Sequence, residues 1–338
     1  VDMINDVRAL QRDGALAMAA ALPGLLATPL AAKARIMQIG VNLIEDPAAP
    51  FGSAQARKSF ANLAAAGATT VALVPFFWQP GASDPALVRG SALPRERLFR
   101  GIEEAARVGL DVLVKPHVWV PERWAGSVVF SSESDWHSWF DAYESALVDC
   151  AETAAEAGAD VLSVGTELLQ TSARPEWARL IARAREVFPG RLTYVAHNSA
   201  EAQQVGFWNL LDIVTMSSYP PLGAPTDRAS WRRAIGDEVR ALRTLADRHA
   251  KPAWLGEIGI RSAADATYKP WESAEERDAP PDPALQEQVL RLWLDAARQG
   301  GIDTALVWRW LSDPQGGGPK DTDFTIQNKP AQSLLGLR

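Results

Sequence analysis

The sequence predicts an α/β fold, a (β/α)8 or TIM barrel in a single domain, on three observations. Eight short apolar segments alternate with segments of helical spacing, a pattern that indicates a parallel sheet with helices between its strands. The apolar segments are nearly continuous, as in strands buried on both faces. The chain has 338 residues, and one barrel domain accommodates most of that length. An open doubly wound sheet is the alternative, but the glycine-rich phosphate turn that often follows its first strand is not present in the sequence.

The predicted elements follow one another in a regular order. Apolar, β-branched and aromatic runs predict strands over residues 36–43, 70–77, 111–119, 159–165, 192–196, 212–218, 252–256 and 304–310. Apolar residues at helical spacing predict helices over residues 53–66, 95–108, 134–157, 175–188, 231–249 and 283–299. Four of these helices are followed directly by glycine, a common helix stop, at Gly67, Gly109, Gly158 and Gly300. Pro175 begins another helix, where proline is well tolerated.

Residues 1–34 have the features of a secretory signal peptide. Arg8 and Arg12 precede an apolar run, which ends in small residues at Ala32 and Ala34. We expect cleavage near this point and export to the periplasm or the exterior, with residues 35–338 forming the catalytic barrel. No other apolar stretch of the sequence is long enough to cross a membrane, so the mature chain is predicted to have no membrane span. An amphipathic first helix of the domain is the alternative.

Composition excludes several classes of function. Acidic residues outnumber basic residues by 41 to 34, a net charge of −7 that argues against binding to nucleic acid. Cys150 is the single cysteine, which excludes internal disulfides and cysteine-based metal clusters. We predict no metal and no organic cofactor. The 13 tryptophans suit stacking on sugar rings, although a protein core can also use them.

The chemistry of a TIM barrel lies where its strands end and the following loops begin. Glu167 follows the fourth predicted strand and Glu257 follows the seventh, so the two should face each other across the barrel mouth. Glycoside hydrolysis needs such a pair, because one carboxyl must give a proton to the leaving oxygen while the other stays ionised. For either glutamate alone, an ion pair at the mouth or a cap on the next helix is the alternative.

Five segments in order give a resemblance to a known family. Residues 115–119, 164–168, 218–222, 256–259 and 321–325 read KPHVW, VGTEL, SYPPL, GEIG and DTDFT. Together they resemble glycoside hydrolase family 113, and the resemblance extends over residues 35–335. It implies a retaining (β/α)8 glycosidase of the β-mannanase kind, with catalytic glutamates after strands four and seven.

The resemblance also implies roles for individual residues. By position, Glu167 matches the acid/base of the family and Glu257 matches its nucleophile. Tyr219 matches the tyrosine that lies beside the nucleophile. Trp308 or Trp310 matches the aromatic floor under the sugar that is cleaved.

Further residues at the strand ends are candidates for substrate binding. The family belongs to a large clan of retaining (β/α)8 glycosidases, many of which carry asparagine directly before the acid/base, where it contacts the sugar 2-hydroxyl. This chain has Thr166 there, whose hydroxyl reaches less far. The other candidates lie in or beside the mouth loops: His117, Trp119, Asn198, Trp271, Trp78 and Trp124. For each of them, loop packing or a bond to the backbone is the alternative.

Two basic residues near the mouth have predicted partners. Lys115 is expected to be buried against a carboxylate, either Glu45 or Glu257. Arg309 lies between two tryptophans, so the two-residue period of a strand turns it the other way, toward an outer acid.

Taken together, these residues predict a retaining β-glycoside hydrolase that acts on a β-1,4-linked mannan or a related oligosaccharide or polysaccharide. The alternatives are a β-glucan-active hydrolase, a transglycosylase and a non-catalytic carbohydrate-binding barrel. The intact glutamate pair argues against the last of these, since binding alone requires neither carboxylate. The sequence does not indicate an oligomeric state.

Overall fold

The computed structural model describes residues 36–89 and 93–337, and its centre is a closed barrel of eight parallel strands. Neighbouring strands of the barrel follow one another along the chain, and the last strand pairs with the first. The eight strands are Gln38–Ile44, Thr70–Leu73, Asp111–Val114, Val161–Thr166, Arg191–Ala196, Val214–Ser218, Ala253–Ile258 and Thr304–Leu311. We number them one to eight in this order. The predicted (β/α)8 fold is confirmed.

Helices connect the strands and surround the barrel. They are Ala54–Ala65, Arg95–Arg107, Glu133–Ala157, Glu176–Val187, Ser199–Gln204, Arg228–Arg248 and Pro283–Gln299. Several begin at a side chain that accepts a backbone N–H of the first turn, as Ser53, Ser132, Asp227 and Asp282 do. The short helix Ser199–Gln204 was not predicted, because six residues carry little helical periodicity.

Two of the predicted strands are each divided in two. Pro75 and Pro116 lie inside the predicted strands 70–77 and 111–119, and a proline has no N–H to give to a sheet. The segments beyond them, Phe76–Trp78 and His117–Trp119, leave the barrel and pair with each other in parallel. Val88–Arg89 adds a third, antiparallel strand. We call this small three-stranded sheet the mouth sheet.

The buried residues of the barrel strands include both an apolar cluster and polar pairs. Six buried side chains, each in or next to a different barrel strand, form an apolar cluster separate from the main core: Ala72, Leu113, Val161, Ile213, Trp254 and Leu306. On strand one, the buried Asn42 donates its amide to the Gly256 carbonyl at 3.1 Å. Thr193 and Thr215 share a hydrogen bond of 2.7 Å on strands five and six. Buried polar side chains of the barrel strands therefore meet polar neighbours.

Two further points concern membrane spans and the first residues of the chain. No helix in the described ranges is long and apolar enough to cross a membrane. The predicted signal peptide, residues 1–34, lies outside the described residues and stays a prediction.

Candidate active site

Glu257, in barrel strand seven, is buried and is bound on both carboxylate oxygens. The Tyr219 hydroxyl donates to Oε1 at 2.7 Å. The Lys115 ammonium donates to Oε2 at 2.5 Å. Since both oxygens accept, Glu257 is held as the carboxylate, which is the form that can act as a nucleophile.

Lys115 is the cation of this pair, and its side chain is 0% exposed. Its ammonium also lies 5.3 Å from the centre of the Trp308 ring, a distance at which the ring face attracts a cation. Of the two partners that the sequence left open, the structure selects Glu257. The other, Glu45, forms an ion pair of 2.8 Å with Arg97.

Glu167 follows barrel strand four in a conformation that is uncommon for a residue with a side chain. Its φ is +55°, in the left-handed region, which costs a non-glycine residue about 1 kcal/mol or more. The turn is held because the Glu167 N–H donates to the Val195 carbonyl at 2.8 Å. The Glu167 carboxyl then lies with Oε2 at 3.5 Å from Nδ1 of His197.

The charge environment of Glu167 differs from that expected for a protonated acid. Burial by itself raises the pKa of this carboxyl, but the imidazoles of His197 and His117 and the hydroxyl of Ser217 oppose it, and the pKa is lowered overall. Burial by itself lowers the pKa of His197, and the facing carboxylate of Glu167 reverses this, so the pKa of the imidazole is raised. The two groups therefore favour an imidazolium beside a carboxylate.

The structure brings both glutamates and Tyr219 to the same mouth. The pKa of the Tyr219 phenol is raised by burial first and then by the carboxylates of Glu257 and Glu167. The carboxylates of Glu167 and Glu257 both act to raise the pKa of the His197 imidazole. These shared neighbours place Glu167 and Glu257 around one space, as their positions after strands four and seven led us to expect.

The two tryptophans of strand eight have different surroundings. Trp308 is partly exposed and lies over the Lys115 ammonium at the mouth. Trp310 is 1% exposed, and its indole N–H donates to the Ser59 hydroxyl at 2.8 Å. The sequence offered either tryptophan as the aromatic floor under the sugar. The structure corrects this, because Trp310 packs in the core and only Trp308 can lie under a sugar. Arg309, between them, forms an ion pair with Asp323, the outer acid that its position predicts.

Two predicted substrate ligands have a side-chain oxygen that bonds to the protein backbone. The Thr166 hydroxyl is buried and donates to the Pro116 carbonyl at 3.0 Å. The Asn198 Oδ1 accepts the N–H groups of Ala200 and Glu201, both at 3.0 Å, and so caps the short helix that follows. The backbone thus engages one oxygen of each residue, and a role of Thr166 or Asn198 in substrate binding stays a prediction.

The mouth sheet carries aromatic rings that solvent can reach. Trp119 is 47% exposed, and its ring centre lies 5.9 Å from that of Trp78 and 5.7 Å from that of Phe76. His117 donates from Nδ1 to the Val118 carbonyl at 3.0 Å, which leaves Nε2 as its free ring nitrogen.

Two further tryptophans lie on the loops. Trp271 is 50% exposed on the loop after strand seven. Trp124, on the loop after strand three, packs its ring 4.3 Å from the His197 ring. Trp271 thus remains available to a ligand, while Trp124 also covers a residue of the site.

Sequence reasoning missed two buried groups that support the site. Glu201 and Tyr194 bond to each other at 2.6 Å beside the Glu167 turn. A polar residue beside a predicted strand end was the available signal, but nothing in the sequence shows which strand ends lie next to each other.

One cluster of potential metal ligands is present in the described ranges. Glu133, His137 and Glu176 bring ligand atoms within 4.8 Å of one another. The guanidinium of Arg174 bonds to both glutamates, at 2.6 and 2.7 Å. A cation already occupies this exposed cluster, so it does not indicate a metal site.

Comparisons with known proteins show the family and the fold. The family model described as Glycoside Hydrolase Family 113 matches residues 45–329. A similar solved structure is the GH113 β-mannanase AaManA from Alicyclobacillus acidocaldarius in complex with ManMIm. It has 24% identity and a TM-score of 0.78, over 90% of this chain and 97% of that one. A GH113 β-1,4-mannanase has 20% identity and a TM-score of 0.78, over 89% and 97%.

More distant structures share the fold. The GH5_18 protein from Bifidobacterium longum has 12% identity and a TM-score of 0.57, over 89% of this chain and 78% of that one. No curated protein sequence matches this chain.

Proposed function

This chain belongs to glycoside hydrolase family 113, and on that premise we propose that it is a retaining β-mannanase. It is a glycoside hydrolase, so its substrate is a carbohydrate. The proposal assigns Glu257 as the nucleophile and Glu167 as the acid and base. The observation that carries it is the Glu257 carboxylate, which Lys115 and Tyr219 hold by both oxygens at the mouth that Glu167 shares.

The proposed reaction has two displacements. In the first, an oxygen of Glu257 attacks the anomeric carbon while the bond from that carbon to the leaving oxygen breaks, and Glu167 gives its proton to the leaving oxygen. In the second, Glu167 takes a proton from a water molecule, which attacks the anomeric carbon and releases Glu257 as a carboxylate. Retention requires the two carboxyl groups to lie about 5–5.5 Å apart, whereas an inverting pair needs about 6.5–9.5 Å to admit the water.

Aromatic side chains support a glycan as the substrate. Trp308 lies beside Glu257 through their shared neighbour Lys115, where a sugar at the cleavage point would stack. Trp119 and Trp78 extend exposed ring faces along the mouth sheet, and Trp271 offers another on a loop. Flat aromatic faces suit the apolar faces of sugar rings. Mannan is proposed because two structurally similar proteins are named as β-mannanases.

The test is the release of reducing ends from β-mannan, glucomannan, mixed-linkage β-glucan, cellulose and xylan. We expect release from mannan, and we expect Glu257→Gln to lower it by at least about 1,000-fold while glycan binding remains. Glu45→Gln is the matched control, because Glu45 is a buried carboxylate at the end of strand one that pairs with Arg97 instead. Proton NMR of the first product should show the β anomer.

Each alternative function gives a different result. Release from β-glucan alone would change the substrate, and longer products in excess acceptor would indicate a transglycosylase. An α anomer as the first product would replace retention with inversion. Binding without release, equal in wild type and Glu257→Gln, would leave a non-catalytic carbohydrate-binding barrel.

A further inference from the structure

We propose that His197 is a positioning residue for the carboxyl of Glu167, and that the two side chains hold one catalytic proton between them. The proposal rests on the proposed function for the role of Glu167. It adds to that function a second group that stores the proton between the two displacements.

The geometry directs one ring nitrogen of His197 toward Glu167. Its Nδ1 is buried and has no hydrogen-bond partner in the described structure, and the Glu167 carboxyl lies 3.5 Å away. The Trp124 ring packs against the imidazole at 4.3 Å. Catalytic hydrogen bonds are often long in the absence of substrate and tighten when it binds. A small movement of the Glu167 carboxyl would complete this bond.

A chain of buried hydrogen bonds fixes the two residues relative to each other. Glu201 accepts the His197 backbone N–H on Oε2 at 2.6 Å. It accepts the Tyr194 hydroxyl on Oε1 at 2.6 Å. The Tyr194 oxygen in turn accepts the N–H of Leu168 at 2.9 Å, the residue directly after Glu167. One carboxylate therefore holds the backbone on both sides of the pair.

The surrounding charges favour a shared proton. His197 lies beside Glu167 at 3.5 Å, and the carboxylates of Glu201 on the following helix and Glu257 on strand seven also act on it. Glu167 faces His197, with His117 from the mouth sheet acting on it as well. The pKa of the imidazole is raised and the pKa of the carboxyl is lowered, each chiefly by the other once burial is set aside. Groups that interact this strongly titrate as a pair.

The proton balance through the reaction follows from this arrangement. At rest the proton lies on Nδ1 of His197, beside the Glu167 carboxylate. It moves to Oε2 as the leaving oxygen approaches and passes to that oxygen as the glycosidic bond breaks. The pair is then a carboxylate beside a neutral imidazole, ready to take a proton from the attacking water and return to its starting state.

The deciding experiment is an NMR titration of the histidine side chains, which needs no turnover. The chain has four histidines, and the signal of His197 is the one that is missing in His197→Gln. We expect the titration midpoint of His197 to fall by about one pH unit in Glu167→Gln. It should stay in place in Glu45→Gln, where the lost carboxylate faces Arg97. An unchanged His197 midpoint in Glu167→Gln would overturn the proposal.

A kinetic comparison separates positioning from general stability. In His197→Gln we expect kcat/KM on a manno-oligosaccharide to fall about tenfold or more. An aryl β-mannoside with a good leaving group needs little proton donation, so its first displacement should hardly change. An equal loss on both substrates would assign His197 a merely structural role. If the wild type hydrolyses no glycan, the proposed function fails, while the NMR shift still reports the pair.

Discussion

Lys115 brings a buried positive charge to the proposed nucleophile. Its side chain is fully buried, donates to Glu257 at 2.5 Å and lies under the Trp308 ring. Removing one member of a buried ion pair leaves the other charge without compensation, which costs more than the pair itself contributes. The residue therefore affects both the stability of the barrel and the position of the proposed nucleophile.

We expect Lys115→Met to lower the free energy of unfolding by about 3–5 kcal/mol and to abolish hydrolysis. In a Glu257→Gln background the same substitution should lower the free energy of unfolding by clearly less, because no buried carboxylate is then left unpaired. Urea unfolding of the wild type, the two single variants and the double variant measures this coupling. Additive losses would show that the two side chains do not stabilise each other.

The turn between strand four and the following loop sets the position of Glu167. A Cβ on Gly165 would lie 2.8 Å from the Trp177 ring and 3.0 Å from the Tyr194 ring, so only glycine lets the strand end lie against these aromatic side chains. Tyr194 then accepts the Leu168 N–H, directly after the left-handed Glu167. The conformation of this element depends on its neighbours as much as on its own residues.

Two tyrosines allow a matched test of that turn. Tyr194→Phe should lower the free energy of unfolding by about 1–3 kcal/mol, because the Leu168 N–H loses its buried acceptor, and it should also lower kcat. Tyr143→Phe removes another buried hydroxyl, which donates to the Val164 carbonyl at 2.9 Å, and should affect stability alone. Denaturant unfolding and kcat on mannan are measured for both. A comparable fall in kcat for Tyr143→Phe would contradict this role for the turn.

At the scale of the whole molecule, interactions between distant segments close the barrel and bury charged groups. Lys329, near the chain end, donates to the Ser262 hydroxyl at 2.6 Å, to Asp321 at 2.9 Å and to the Asp323 carbonyl at 3.1 Å. This joins the loops after strands seven and eight. Glu104 is buried on an outer helix, 3.7 Å from Arg57 of the preceding helix. Such groups make the stability of the barrel depend on pH.

The direction of that dependence follows from Glu104. Burial raises its pKa above the ordinary value of 4.5, despite a bond from the Gly52 N–H and the charge of Arg57. The folded state thus binds the proton more strongly than the unfolded state. The stability that comes from this difference in proton binding is fully present below pH 4.5. It is lost as the pH rises through the raised pKa of Glu104.

We therefore expect Glu104→Gln to gain stability relative to the wild type when the pH is raised from about 4 to about 7. Urea unfolding at the two pH values gives the difference. Glu103→Gln is the control on the same helix, since Glu103 is more exposed and pairs with Arg100 at 2.9 Å. A constant difference between Glu104→Gln and the wild type at both pH values would refute the expectation.

Much of the fold was predictable because it depends on local patterns. The alternation of strands and helices, the glycine stops and the proline start are properties of neighbouring residues, and the barrel follows from eight such repeats. The ends of two strands were misplaced because apolar residues continue past Pro75 and Pro116 into the mouth sheet. The prolines were the signal that the ladder stops there.

The sequence by itself also determined which carboxylates are candidates, since Glu167 and Glu257 follow strands that must end at one mouth. Only the tertiary structure decided which partners they have. It selected Glu257 for Lys115, placed His197 beside Glu167, and turned the hydroxyl of Thr166 toward the backbone. The physical reason is that strand periodicity fixes the face on which a side chain lies, whereas its neighbours on that face come from other strands. Those neighbours are set by the register and closure of the whole barrel.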